Sequence, residues 1–329
     1  MLREEVLSLL KGAEGPLSGE AMRRGLGVSR AAVWKAVEEL RQEGYVISSA
    51  PNRGYMLVSS PDLLSPGELS GVLAGRLIGR ELLCLETVDS TNNEVKRRAE
   101  EGAPEGLVVL ADRQTGGKGR LGRTFVSPPG QLYFTVLLRP SCSLRELMWL
   151  TAWAAVSVCD GIERACAFRP GIKWTNDIIV DGRKLCGILT ELGIEGESGA
   201  VRYAAVGIGV NVNETAAGFG PELSPVAISL AQIMGTPPRR AALAAAILTA
   251  LDDNYRRFPG DKAAFLERYR AGCLTVGQQV RLVRGETEET GFAEGVDEDF
   301  ALVVRLDGGS RKAVSSGEVS VRGMLGYAD

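Results

Sequence analysis

One dense cluster of turn formers, Ser59-Ser60-Pro61-Asp62 followed by Ser65-Pro66-Gly67, divides the chain. The hydrophobic pattern differs on its two sides. Before it, apolar residues recur at helical spacing over three short segments. After it, strand-like and helix-like stretches alternate. The pattern predicts a domain break near 60–68. A length of 329 residues accommodates two or three domains at about 100–200 residues each.

In the first segment, Val6, Leu7, Leu9 and Leu10 form one helical face that ends near Gly12 and Gly15. Ser18 is placed to cap a second helix that ends near Gly25, and Ser29 to cap a third over 30–41. Val33, Val37 and Leu40 share one face of that third helix. Two short helices joined by a glycine turn form a helix-turn-helix. Strands at 45–47 and 55–58 around Pro51-Asn52-Arg53-Gly54 add a wing. With the valines and Leu40 inside, Ser29, Arg30, Ala31, Trp34 and Lys35 stand at the end of the helix that reads base edges, and Arg53 is placed in the wing to reach phosphate or the minor groove. Winged helices also dock proteins. Eight basic against seven acidic side chains in residues 1–60 is weak charge for DNA, which a dimer presenting two such helices would offset.

Composition removes several chemistries. There is no histidine, so Ser-His-Asp and Cys-His catalysis and histidine-bound zinc are excluded. Six cysteines form no C-x-x-C pair and read as reduced thiols of a cytoplasmic protein. MLREEVLSLLKG is acidic early and lacks the apolar core of a signal peptide. No apolar run reaches the ~18 residues of a membrane span. A net charge of −3 excludes a strongly basic coat, and 41 glycines point to tight turns and close backbone approaches.

From 68 to 270 the pattern predicts a mixed α/β domain. Strands are expected at 82–88, 106–112, 132–139, 168–174, 176–180, 184–191 and 202–210. Helices are expected at 91–101, 143–166, 238–257 and 261–270. Four islands carry chemistry. Asp89-Ser90-Thr91-Asn92 either caps a helix or meets a ligand. Gln114 to Arg123 packs four glycines and three cations into residues 116–123, a loop that offers N–H groups and charge to an anion. It fails the P-loop pattern, because Lys118 is followed by Gly119. It matches G-x-G-x-x-G at Gly117, Gly119 and Gly122, but Pro128 and Pro129 oppose the helix that a dinucleotide fold requires.

The third island, Lys173 to Leu189, contains the hairpin signal Asp181-Gly182. Strand alternation puts Lys173, Thr175 and Asp177 on one face. Lys184 opens the return strand, and Gly187 lets a group approach the backbone. A lysine beside an aspartate suits phosphate chemistry, the lysine stabilising developing charge and the aspartate holding Mg2+. The fourth, Gly207 to Asn213, ends in asparagines that pair with an adenine edge or simply turn the chain. From Gly277, strands at 279–283, 289–296, 301–306, 311–314 and 319–322 read as a small SH3-like barrel.

Together these segments resemble the bacterial biotin protein ligases of the bifunctional kind, which also repress the biotin operon. The carriers are SGEAMRRGLGVSRAAVWKAVEELRQEGY, DSTN, QTGGKGRLGR, KWTNDIIVDGRKLCGIL and GIGVNVN. The resemblance implies a multidomain α+β chain: a winged helix-turn-helix over 1–62, a class II synthetase-like mixed α/β ligase domain over 68–272 and an SH3-like β barrel over 275–329. It implies condensation of biotin and ATP, with Mg2+, to biotinyl-5′-adenylate, then transfer of biotin to a lysine of the biotin carboxyl carrier protein of acetyl-CoA carboxylase.

By motif position, Ser90, Thr91, Asn92, Gln114, Gly117, Lys118, Gly119, Arg120, Lys184 and Gly187 hold biotin. Lys118, Arg120, Lys173, Asn176 and Asn211 hold ATP. Lys184, Arg120 and Asp177 carry the catalysis, with Asp177 also the candidate for Mg2+ or for positioning Lys184. Operator DNA and a ligand-promoted homodimer are the implied partners, and no membrane. Two positions depart from the family pattern. Lys118 stands where the first arginine of the loop is usual and cannot clamp a carboxylate with two bonds. Phe125 replaces the usual tryptophan and lacks its indole donor. Three other readings share parts of the pattern: a winged-helix dinucleotide sensor, a lipoate-type ligase, and a repressor with an inactive ligase domain.

Overall fold

The computed structural model describes residues 2–50, 53–196, 200–284, 286–315 and 320–323. The first unit is built from α1 (Leu2–Gly12), α2 (Gly19–Leu26), α3 (Arg30–Gln42), β1 (Val46–Ala50) and β2 (Gly54–Ser59). The caps fall where the sequence places them. The Ser18 hydroxyl accepts from the Ala21 N–H at 3.0 Å, and the Ser29 hydroxyl from the Ala32 N–H at 3.1 Å. Gly27 closes α2 in the left-handed region, with φ 67°. Val6, Leu7, Leu10, Met22, Val33, Val37 and Leu40 form the small core. The wing hairpin lies against Leu17, which exchanges both backbone hydrogen bonds with Tyr55. The wing-turn residues Pro51 and Asn52 lie outside the described residues.

The turn-rich boundary is itself structured. Ser65-Pro66-Gly67 opens α4 (Pro66–Leu73), with Ser65 as cap and proline in the first turn. Serine, proline and glycine are turn formers and also suit a helix start, so the same residues serve as boundary and as cap. Helix α4 is the shelf on which α1 rests. The Glu4 carboxylate accepts from the Gly67 N–H at 2.7 Å, and a Cβ on Gly67 would fall 2.7 Å from that same carboxylate. Lys11 and the buried Glu68 form an ion pair.

Next come β3 (Glu81–Val88), α5 (Thr91–Glu100), β4 (Leu107–Gln114), β5 (Leu132–Leu138), α6 (Leu144–Leu147), α7 (Leu150–Cys166), β6 (Gly171–Lys173), β7 (Asp177–Val180), β8 (Arg183–Ile194) and β9 (Val201–Val210). Seven strands form one mixed sheet in the order β3-β4-β5-β9-β8-β7-β6, parallel only between β3 and β4. After α8 (Ala216–Leu223) and α9 (Leu230–Met234), α10 (Arg240–Tyr255) packs with α7 over one sheet face. Gly161 permits their closest approach, since a Cβ there would meet the Ile247 backbone at 2.4 Å. Helix α5 covers the other face through Val95 and Ala99.

The expected helix over 143–166 is two helices. A Ser143–Glu146 capping box starts the first, and the chain breaks at Met148-Trp149, where the Trp149 ring turns toward Phe300. The expected strand over 168–174 shortens to three residues. Ala167 closes α7 with φ 58°, and Arg169 is held by Asp160 and Glu163. Helices α8 and α9 were not expected, because Gly218, Gly220 and Pro221 give the first the composition of a loop.

Helix α11 (Lys262–Gly272) leads to β10 (Gln279–Arg284), β11 (Thr287–Val296), β12 (Leu302–Leu306), β13 (Arg311–Val314) and β14 (Ser320–Gly323), a five-stranded antiparallel sheet ordered β13-β12-β11-β10-β14. Residue 319 of the expected last strand lies outside the described residues. Val280, Leu282, Phe300 and Leu302 join the ligase-domain core, and the Trp174 indole N–H donates to the Phe300 carbonyl at 2.8 Å. Among the described residues no helix is long and apolar enough to cross a membrane.

Candidate active site

The parallel strands β3 and β4 deliver the first two groups to one sheet edge. Directly after β3, Asp89 is held by Arg97 at 2.7 Å and Asn93 at 2.7 Å, and its carbonyl accepts from the Gly116 N–H at 2.7 Å. The Arg97 guanidinium keeps the Asp89 carboxyl far below the usual carboxylate range. Asp89 therefore fastens both α5 and the start of the glycine-rich loop. Ser90 occupies the N-cap position, yet its side chain makes no cap bond. Gln114, at the end of β4, does that work: its carboxamide oxygen accepts from the Thr91 N–H at 2.8 Å and the Thr91 hydroxyl at 3.1 Å. The Ser90 hydroxyl is thus not used as a cap. Ser90, Thr91, Asn92 and Gln114 line a small cavity of about 50 Å³.

The basic loop has a defined shape. Gly117 passes so close to its return segment that a Cβ would fall 2.3 Å from the Phe125 carbonyl and 2.4 Å from the Ser127 hydroxyl. The Gly119 N–H donates to Arg123 O at 2.7 Å and the Phe125 N–H to Gly117 O at 2.9 Å. A single 3-10 turn, Arg120–Gly122, forms the tip, and no regular helix follows it before β5. The helix that a dinucleotide site requires is therefore absent from residues 123–131, all of which are described. Arg120 folds back from the tip. One guanidinium nitrogen donates to Thr175 Oγ1 at 3.2 Å and Asn176 Oδ1 at 2.9 Å, while Nη2 is buried without a hydrogen-bond partner. A buried unpartnered donor is costly, and here it marks a place that suits an anionic oxygen. Burial lowers the Arg120 pKa from its ordinary value. Lys118 points elsewhere, to Asn93 Oδ1 at 2.6 Å.

The expectation that Lys173, Thr175 and Asp177 share one strand face is corrected. The first strand ends at Lys173, the next begins at Asp177, and these two residues are antiparallel partners across a turn. Asp181 and Gly182 have φ of 49° and 71°, in line with the expected two-residue hairpin turn. Lys184, on the return strand, places Nζ 2.7 Å from Asp177 Oδ1 and 5.7 Å from the centre of the Phe125 ring.

Three glycines explain how these groups fit. A Cβ on Gly187 would meet Lys184 Nζ at 3.0 Å, one on Gly209 would meet the Phe125 ring at 2.7 Å, and one on Gly207 would meet Asn92 Oδ1 at 2.0 Å. Strands β8 and β9 thus offer a bare backbone floor, and Asn92, Phe125 and Lys184 lie on it. The groups that approach Gly187 are Lys184 and Phe125 themselves.

A second cavity, of about 340 Å³, lies on the other side of Phe125 and is lined by Lys173, Asp177, Gln131, Asn211, Glu214 and Phe219 among others. Gly119, Arg120, Phe125, Asn176 and Lys184 belong to the walls of both cavities. The Asn211 side-chain amide donates to Lys184 O and Ile228 O, both at 3.2 Å, so this residue offers a ligand its carboxamide oxygen, an acceptor. Gln131 holds the adjoining turn by accepting from Val212 N–H at 2.6 Å and Asn213 N–H at 3.1 Å. Sequence reasoning missed Gln131, Glu214 and Phe219. Phe219 sits in a glycine-rich stretch that carries no periodic signal, and Gln131 borders an apolar strand. Among the described residues no three His, Cys, Asp or Glu side chains gather to hold a metal ion.

In the N-terminal unit, Arg30, Ala31, Lys35 and Arg53 are exposed, and Trp34 is 57% exposed. Ser29 is engaged as the cap of α3. Lys35 lies 3.9 Å from Glu39.

Known proteins match along nearly the whole chain. The pattern of the Biotin/lipoate A/B protein ligase family matches residues 84–211, an HTH domain matches 2–56, and the Biotin protein ligase C terminal domain matches 275–322. The bifunctional ligase/repressor BirA of Bacillus spizizenii is 35% identical over 318 residues, 96% of this chain and 97% of its own. That of Escherichia coli is 30% identical over 312 residues, covering 93% and 92%. A solved structure of the biotin protein ligase from Aquifex aeolicus with biotin and ATP superposes with a TM-score of 0.63 at 31% identity, covering 74% of this chain and 99% of that one.

Proposed function

The chain belongs to the family of bifunctional biotin ligase/repressors, and from that premise we propose how its residues divide the work. It is a biotin–[acetyl-CoA-carboxylase] ligase with a DNA-binding repressor domain. The observation that carries the residue assignment is the shared wall: two cavities of unequal size meet at Arg120, Phe125 and Lys184.

The small cavity takes the biotin head beside Ser90, Thr91, Asn92 and Gln114, with Gly117 letting the loop close on its return segment and Gly187 letting Lys184 and Phe125 lie on the floor. The large cavity takes ATP, with adenine near Asn211 and Phe219 and phosphates near Lys173, Asn176 and Arg120. The biotin carboxylate then meets the α-phosphorus at the shared wall. Attack forms the acyl–phosphate anhydride and expels pyrophosphate. Lys184 and Arg120 are fixed cations beside the charge that develops there, and Arg120 Nη2 is a donor held ready for an oxygen. In the second step the amine of the acceptor lysine attacks the acyl carbon and AMP leaves. The loop 116–123 over the anhydride excludes water. Lys118 and Gly119 lie at its base, on the rim of the small cavity.

Asp177 positions Lys184. Asp177 would also be the residue to hold a magnesium ion, which would supply charge neutralisation for the nucleotide phosphates. Arg30, Ala31, Trp34 and Lys35 of α3 face operator bases and phosphates, with Ser29 capping that helix and Arg53 reaching out from the wing. Adenylate binding favours a homodimer, which presents two recognition helices to two half-sites. Sedimentation with and without adenylate tests that coupling, and equal dimer affinity in both states removes it.

The ligase assignment is tested by incubating the protein with biotin, Mg-ATP and a biotin carboxyl carrier domain, then weighing the acceptor intact. A gain of one biotinyl group that is lost with Lys184→Ala supports the assignment. No gain with wild-type protein, together with no pyrophosphate release, overturns it.

A further inference from the structure

Behind the small cavity stands an ion pair that does not line it. Glu191, on β8, accepts from the Asn92 side-chain amide at 2.8 Å, and its second oxygen is paired with Lys96 of α5. The same Asn92 amide nitrogen lies 3.3 Å from the Leu189 carbonyl. On the other side of Asn92, Thr135 Oγ1 of β5 lies 2.7 Å from Asn92 Oδ1 and 2.8 Å from Thr91 Oγ1. Thr135 is fully buried, and Thr91 and Asn92 nearly so.

We infer that Glu191 and Lys96 are positioning residues that set the hydrogen-bond polarity of the head-binding cavity through Asn92. An ionised carboxylate only accepts, so Asn92 must turn its NH2 group toward Glu191 and its oxygen toward Thr135. Thr135 has one hydroxyl proton, and this oxygen claims it. The short contact between Thr135 and Thr91 is then one that Thr91 donates, its single proton shared between Thr135 Oγ1 at 2.8 Å and Gln114 Oε1 at 3.1 Å. The proton of Thr91 is committed inside the protein, and Thr91 presents only lone pairs to the cavity. Ser90, whose hydroxyl caps nothing, remains able to donate. The pocket edge therefore carries an acceptor at Thr91 and a donor at Ser90, the complement of a cyclic urea with its N–H groups and carbonyl. A dithiolane ring has neither group. Lys96 keeps Glu191 charged: the carboxyl pKa lies below its usual value despite burial, with Lys96 and Asn92 as the principal lowering partners.

This inference rests on the biotin reading of the small cavity. Its test is the affinity for biotin alone, by calorimetry on the full chain, alongside the affinity for ATP. Glu191→Gln can reverse its amide and with it the whole array, and about a tenfold loss of biotin affinity is expected, as for one charge-assisted hydrogen bond, with ATP affinity unchanged. Lys96→Met, at a partly exposed site, gives a smaller loss in the same direction, and Lys96→Arg restores binding. In a Thr135→Val background the Glu191→Gln effect shrinks to less than twofold, because the relay is already cut. Wild-type affinity in Glu191→Gln overturns the positioning role, and so does an equal loss of biotin and ATP affinity or full additivity with Thr135→Val. A wild-type chain that binds no biotin overturns the reading of the cavity and this inference with it.

Discussion

Lys184 Nζ lies 2.7 Å from Asp177 Oδ1 across the β7–β8 hairpin, and its side chain crosses the bare backbone of Gly187. The position of the cation is thus set by an anion on one strand and by the missing side chain on the other. Asp177→Asn keeps the shape and removes the charge. The rate of adenylate formation is expected to fall by about tenfold, with little change in the KM for biotin, read by pyrophosphate release. Lys184→Ala is expected to lose about 100- to 1000-fold, as for removal of one transition-state donor.

Two glycines of β9 separate the two halves of the site. Gly207→Ala brings a methyl group against Asn92, and Gly209→Ala brings one against the Phe125 ring. The first is expected to raise the KM for biotin at least tenfold while leaving ATP binding intact. The second displaces the common wall and is expected to increase biotin-dependent ATP turnover in the absence of acceptor, as water reaches the anhydride. Steady-state kinetics with each substrate varied in turn tell the two patterns apart.

Lys118 tests the departure from the family loop. The lysine is a point charge bonded to Asn93, not a two-pronged clamp. Lys118→Arg is expected to slow adenylate dissociation several-fold, measured by rapid mixing with competitor. An unchanged rate contradicts the idea.

Arg240 ties the domains together. It is 6% exposed and holds Asp62 at 2.8 Å, the Asp62 carbonyl at 2.8 Å, the Gln131 carbonyl at 3.1 Å, and Asp112. Removing one partner of such a buried cation is costly, and Asp62→Ala is expected to destabilise the chain by about 3 kcal/mol. Denaturant unfolding reads this directly.

The pH response follows from the carboxylates. Glu4, Asp160, Glu191 and Asp253 all titrate below their ordinary values. A carboxyl whose folded pKa is depressed stabilises the fold above its unfolded pKa, and that stability is lost as pH falls through the folded value. The chain has no histidine, and burial pushes the thiols of Cys84 and Cys159 up to about 12. Stability is therefore expected to be flat between about pH 5 and 8 and to fall in acid. A transition near pH 6.5 contradicts this.

Much of the architecture was legible because local chemistry and fold agree. Ser18 and Ser29 cap the helices they precede, Asp181-Gly182 makes its hairpin, and Val33, Val37 and Leu40 face the core. Legibility ended where one residue type serves two purposes. Ser65-Pro66-Gly67 reads as part of a turn-rich boundary and also starts a helix, which the turn composition hides. The site was half legible: Lys184, Arg120 and Asp177 lie in motifs dense with charge and glycine. Gln131 and Glu191 act through partners distant in sequence, such as Asn92, 99 positions before Glu191, and no local pattern marks them.

The central claim is that biotin and ATP occupy adjoining cavities and react at their common wall. Its most direct test is a crystal structure with a non-hydrolysable biotinyl-adenylate analogue. The urea ring is expected beside Thr91, Asn92 and Gln114, adenine beside Asn211 and Phe219, and the linkage within hydrogen-bond reach of Lys184 and Arg120. An analogue bound with its linkage remote from both cations, or with adenine in the small cavity, contradicts it.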